Sequence, residues 1–113
     1  MACQKRHQVL YNSAAAATGD WNRLDNRYEF PEDRTVQAFV TAGDTVYIEV
    51  ASKDVKGQMG AAEAAMLLAL LPEDITVLTS FTASGTYVID GPWSYVRVRK
   101  TGTAGLGKVQ GFI

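Results

Sequence analysis

TYVIDGPWSYVRVRK, residues Thr86 to Lys100, is the stretch on which the fold turns. Two runs rich in β-branched and aromatic residues flank Asp90-Gly91-Pro92, whose Asp-Gly step supplies the φ > 0 position of a tight turn. Pro92 lacks an N–H and suits the first residue of a returning strand. The spacing therefore predicts a hairpin. In its second arm Val96 and Val98 point one way, while Trp93, Tyr95, Arg97 and Arg99 point the other. Two aromatics and two arginines in an outward row are the side chains that protein interfaces use as anchors, so the row is a candidate partner-binding surface.

The same alternation recurs upstream. Arg34 to Thr41 places Val36, Ala38 and Val40 on one face, Ala42-Gly43-Asp44 turns the chain, and Thr45 to Ala51 returns with Val46, Ile48 and Val50. A second hairpin with a β-branched core face is expected there. Gln8 to Tyr11, Ile75 to Phe81 and Lys108 to Ile113 read as further strands. Ser13 to Asp20 reads as a loop or short edge segment, and Pro31-Glu32-Asp33 as a turn closing a region in which Trp21, Leu24, Tyr28 and Phe30 show no firm period. About seven or eight short strands, with turn signals roughly every ten residues, are the pattern of an all-β protein. The expected fold is a jelly-roll-like antiparallel β-sandwich, a single domain over 1–113 with residues 1–7 as a flexible N-terminal arm.

One segment departs from that plan. AAEAAMLLALL, Ala61 to Leu71, consists of strong helix formers, carries Glu63 as its single charge, and is stopped by Pro72. A short inserted helix is expected over about 61–71, too short to span a bilayer. It has almost no polar face, so some of Met66, Leu67, Leu68, Leu70 and Leu71 must be covered by something. Two readings stand side by side: the helix plugs an open end of the sandwich, or part of it packs on a neighbouring subunit. The second makes Met66, Leu67, Leu70 and Leu71 assembly residues and the protein a homo-oligomer or part of a larger assembly.

Composition narrows the chemistry. Apolar residues make up 47% and charged residues 20%, ordinary for a folded protein. A formal net charge of −1 gives no electrostatic case for nucleic acid or anionic membrane as the main partner. A stacking platform of Trp93 and Tyr95 with Arg97, Arg99 and Lys100 is disfavoured on the same ground. Cys3 is the single cysteine, which excludes an intrachain disulfide and a cysteine zinc cluster. No secretory pattern opens the chain, which is expected to fold in a reducing cytosol. His7 is the single histidine and falls in the expected arm, where no catalytic base is held rigidly. GTAGLGKV, Gly102 to Val109, has phosphate-loop spacing, but Val109 stands where Ser or Thr must bind magnesium, and a strand rather than a helix follows. Acidic residues fall in turns without EF-hand spacing. No catalytic, metal or cofactor site is expected.

The stretches TGDWNRLD, RTVQAFVTAGDTVYIEVASKD and FTASGTYVIDGPWSYVRVRKTGTAGLGKVQGFI together resemble a group of small jelly-roll proteins of tailed bacteriophages. The likeness runs from about Thr18 to Ile113 and is strongest over Thr86 to Arg99, where the group carries a Tyr-rich strand, an Asp-Gly-Pro turn and an arginine-bearing strand. It breaks between Ser52 and Ile75, where this chain inserts the apolar helix. The resemblance implies a non-enzymatic virion structural component, foremost a capsid decoration or cement protein that binds the major capsid protein and neighbouring copies of itself on the capsid surface. The alternative it implies is a tail, collar or fibre module that meets other virion proteins or a host-surface receptor. It brings no catalytic residues with it.

Overall fold

Runs such as Thr35–Phe39 and Thr45–Ala51 form strands because β-branched side chains pack well on a pleated surface and their alternation gives one dry face. The structure, a computed structural model, describes residues 7–24, 34–51, 61–89 and 93–112. Among these residues eight strands form two sheets: β1 (His7–Ser13), β2 (Asn22–Arg23), β3 (Thr35–Phe39), β4 (Thr45–Ala51), β5 (Ile75–Phe81), β6 (Gly85–Val88), β7 (Tyr95–Thr101) and β8 (Gly107–Phe112). Helix α1 (Ala61–Leu68) and a 3-10 turn at Pro72–Asp74 lie between β4 and β5. No helix among the described residues is long and apolar enough to cross a membrane.

The first sheet has the order β1-β8-β3-β6 and the second β2-β7-β4-β5. Every neighbouring pair is antiparallel. Strands pair first with last: β1 with β8, β2 with β7, β3 with β6 and β4 with β5. The chain is thus one long antiparallel ribbon whose apex holds α1. Winding that ribbon on itself creates the two remaining contacts, β3 with β8 and β4 with β7. This is the double Greek key of a jelly roll, and the expected all-β sandwich with one inserted helix is the fold observed.

The core lies between the sheets. Val36, Ala38 and Val109 from the first sheet face Val46, Ile48, Val50, Val96 and Val98 from the second, all fully buried, with Leu10, Tyr11, Leu24 and Ile89 completing the layer. Each buried side chain of this size contributes on the order of 1.5–3 kcal/mol.

Both expected hairpins are corrected. β3 and β4 belong to different sheets, as do β6 and β7. The turn at 42–44 therefore carries the chain across the sandwich; residues 90–92, expected as the other turn, lie outside the described residues. A dry face on each of two successive strands can be buried by pairing them side by side or by stacking them face to face, and here stacking prevails. The true ribbon apex, β4 to β5, was hidden by the helix inserted in it.

Other expectations need adjustment as well. The helix stops at Leu68 rather than Leu71, because Pro72 disfavours helical backbone before it and the 3-10 turn takes over. His7 is not part of an arm: it opens β1, pairs with Phe112 in register and meets that ring edge-on at 5.5 Å. Residues 1–6 of the expected arm, Tyr28, Phe30 and the Pro31-Glu32-Asp33 turn lie outside the described residues. Gly102 to Leu106 connects two strands, and Lys108 sits in β8, so the phosphate-loop spacing falls on a strand-to-strand turn.

One corner of the sandwich is held by charge. Lys100 follows Val96 and Val98 onto the inward face rather than joining Arg97 and Arg99 in one cationic row. Its Nζ lies 3.0 Å from Asp44 Oδ2 and donates to the carbonyls of Ala14 (3.1 Å) and Gly102 (2.7 Å). Asp44 also accepts the N–H groups of Ala104 (2.9 Å) and Gly105 (3.1 Å), which ties the β3–β4 turn to the β7–β8 turn. The Ala104 N–H foremost, then Lys100 and the Gly105 N–H, hold the Asp44 carboxyl below the usual range against the opposing pull of burial. Gly102 adopts φ +88, and a Cβ there would collide with Asp44 Oδ1, so this turn requires glycine.

Candidate docking surface

The outer face of the β2-β7-β4-β5 sheet carries the residues that the sequence singled out. Register places Glu49 opposite Arg97 and Tyr47 opposite Arg99 on adjacent β4 and β7. Glu49 reaches both arginines: Arg97 Nε donates to Oε1 at 2.8 Å and Arg99 Nε to Oε2 at 3.0 Å. Each guanidinium also lies over a ring, Arg97 4.6 Å from the Trp21 centroid and Arg99 4.0 Å from that of Tyr47. The result is a ladder, Trp21-Arg97-Glu49-Arg99-Tyr47, with its one carboxylate nearly buried and one positive charge in excess. Ring stacking and a shared carboxylate leave the arginines rigid and planar, and such anchors dock with little loss of side-chain freedom.

Beside the ladder, α1 and the turn after it lie against the sheet. Met66, Leu67 and Leu70, together with Trp21, pack against Ala51 and Tyr95. The helix thus covers part of a sheet face instead of plugging the end of the sandwich. Tyr95, read from the sequence as an outward anchor, is 1% exposed beneath it. The alternation was right about its direction and silent about the cover. Trp93 precedes β7 and packs against the inter-sheet core, so it too leaves the outward row. Of the sequence-predicted partner residues, Arg97 and Arg99 stand together on the ladder, Met66, Leu67 and Leu70 are half-buried against the sheet, and Leu71 is 54% exposed.

Large apolar side chains also remain open on this side. Leu68 is 88% exposed, and Val77, beside Glu49 in register, is 48% exposed. Between α1 and the loop Thr18 to Trp21 runs a cleft of about 460 Å³, lined by Leu67, Leu68, Leu70 and Ile75 and, among polar groups, by Asp20 and Arg97. The loop is fixed by main-chain bonds to β7, Gly19 N–H to the Val98 carbonyl at 2.7 Å and Lys100 N–H to the Ala17 carbonyl at 2.9 Å. Apolar side chains facing a loop tied to β7, with the Asp20 carboxylate and the Arg97 guanidinium among them, can accept an apolar side chain with a polar neighbour.

Sequence reasoning missed Trp21, Tyr47 and Glu49. The signal was present in the outward positions of Thr45 to Ala51, where Tyr47 and Glu49 complement Arg99 and Arg97, but using it required knowing that β4 neighbours β7. Among the described residues no three His, Cys, Asp or Glu side chains converge to hold a metal. Comparison of the chain with protein-family models, with curated proteins and with solved structures finds no match.

Proposed function

We propose that this chain is a non-enzymatic virion structural protein of a tailed bacteriophage, a capsid decoration or cement protein that binds the shell of major capsid protein. The observation that carries the reading is the α1 side of the second sheet. Leu68, Leu71 and Val77 stand exposed, and Leu68 lines a cleft that the stacked Arg97 also lines. An exposed apolar group rimmed by ordered arginines is composed like the centre of a protein interface. The phage-like stretch Thr86 to Arg99 includes strand residues of β6 and β7, and β7 carries Arg97 and Arg99 of this surface. The mechanism is mass action. Each copy buries Leu68, Leu71 and Val77 against the shell, and many copies bound to the assembled but not the dissociated shell stabilise it against internal pressure.

The test is binding to purified particles stripped of the chain. Wild-type protein is expected to co-sediment to saturation in proportion to the capsid subunits, and Leu68→Glu together with Leu71→Glu to lower occupancy at least tenfold. Wild-type protein that stays in the supernatant, or that follows purified tails instead of heads, overturns the reading.

A further inference from the structure

We propose that the outer face of the β1-β8-β3-β6 sheet is a self-association surface on which a second copy of this chain packs face to face. Four large apolar side chains, Val9, Phe39, Val88 and Phe112, stand on it, each at least two-fifths exposed. They come from β3, β8 and the two end strands β1 and β6, so the apolar groups span the whole sheet. Between them runs a polar row fixed by register: Gln110 opposite Val9, Gln37 opposite Gln110, and Thr86 opposite Gln37. Among the described residues, the carboxamides of Gln37 and Gln110 make no side-chain hydrogen bond. Both line a shallow groove of about 400 Å³ beside Phe112.

The occupant follows from the chemistry of this face. Its ionisable groups among the described residues are His7 and Lys108. It offers little to a strongly acidic or basic partner, and two identical faces meet without a block of like charge. A carboxamide both donates and accepts, so a glutamine can satisfy the same glutamine of an identical copy. Depletion of charge with aromatic and aliphatic groups at the centre is the composition of an interface core. Two sheet faces stack about 10 Å apart with their side chains interdigitated. Four strands about 4.8 Å apart and about 20 Å long give roughly 400 Å² a side. Two such faces total roughly 800 Å², below the 1,200–2,000 Å² typical of stable complexes, which makes the pairing weak in solution and effective where a surface holds copies at high local concentration.

Analytical ultracentrifugation of the full chain from about 10 μM to 1 mM tests this, the range in which a contact of millimolar to high micromolar affinity is read. The weight-average mass is expected to rise toward that of a dimer. Phe112→Glu and, separately, Gln37→Lys are expected to return it to monomer, with the thermal transition of each variant confirming that it folds. Leu68→Glu on the opposite side is expected to leave the dimer intact. A wild-type chain that is monomeric at 1 mM overturns the proposal, as does a dimer abolished by Leu68→Glu but not by Gln37→Lys. A monomeric chain whose Gln37 and Gln110 amide resonances shift on adding maltohexaose would assign the face to a neutral glycan instead, and would equally overturn it.

Discussion

On the outer face of the second sheet, Glu49 sits between Arg97 and Arg99 and each guanidinium lies over a ring; on the outer face of the first, Gln37 and Gln110 stand opposite each other with no side-chain partner among the described residues. Both sheets have four antiparallel strands and share one core. The difference arises from what the chain lays on top. The ribbon apex folds α1 over the second sheet, burying Tyr95 and Ala51, and nothing equivalent among the described residues covers the first. One face therefore contributes to the stability of the subunit itself. The other can be altered with little consequence for folding, the usual property of a surface available for contact.

The comparison breaks if substitutions on the two faces cost the same. The largest effect is expected for Tyr95→Ala, which empties the space beneath α1 and should lower unfolding free energy by about 3–5 kcal/mol in urea titrations. If α1 were held independently of the sheet, the loss would fall well below that range. Glu49→Ala follows, at about 2 kcal/mol, since it leaves two partly screened guanidiniums without their shared carboxylate. Pairing Glu49→Ala with Arg97→Ala in a double-mutant cycle should recover a coupling that Arg99→Ala alone does not exhaust.

Asp44 sharpens the picture from the corner that joins the sheets. Its carboxyl is held low in the folded chain, so its stabilising effect is present above the ordinary carboxylate range near 3.9 and is lost as pH falls through the lower folded value. Asp44→Asn is expected to destabilise the protein at pH 7. The gap to wild type, followed by thermal melts, should narrow as the medium is acidified through and below that range. A gap that stays constant with pH would mean that the Lys100 pair contributes no pH-linked stability. The smallest effects belong to the first sheet: Gln37→Ala and Phe112→Ala should stay within about 0.5 kcal/mol of wild type. A loss like that of Glu49→Ala at either position would erase the contrast between the faces.

Much of the sandwich was legible in the sequence because alternation reports burial directly. Val36, Ala38, Val46, Ile48, Val50, Val96 and Val98 point inward as their spacing requires. Strand partners were not legible, because a tight turn such as Ala42-Gly43-Asp44 reverses the chain equally well within a sheet or between sheets. That ambiguity produced two hairpins where the chain crosses over. It also hid the β4–β7 neighbourhood on which the Glu49 ladder depends. The helix was legible as a helix, and its lack of a polar face announced that it must be covered. Which residues the sheet would take, Met66, Leu67 and Leu70, and which it would leave, Leu68 and Leu71, depended on a docking angle that helical spacing alone does not set. Lys100 illustrates the converse: its parity with Val96 and Val98 marked it as inward, and its charge led away from that reading until Asp44 supplied the partner.

The most direct test of the proposed function is a cryo-EM reconstruction of the phage particle that carries this chain. Jelly-roll density is expected over the outer surface of the head, with α1, Leu68 and Arg97 turned toward the major capsid protein. Density confined to the tail or collar, or heads that lack the chain altogether, would contradict it.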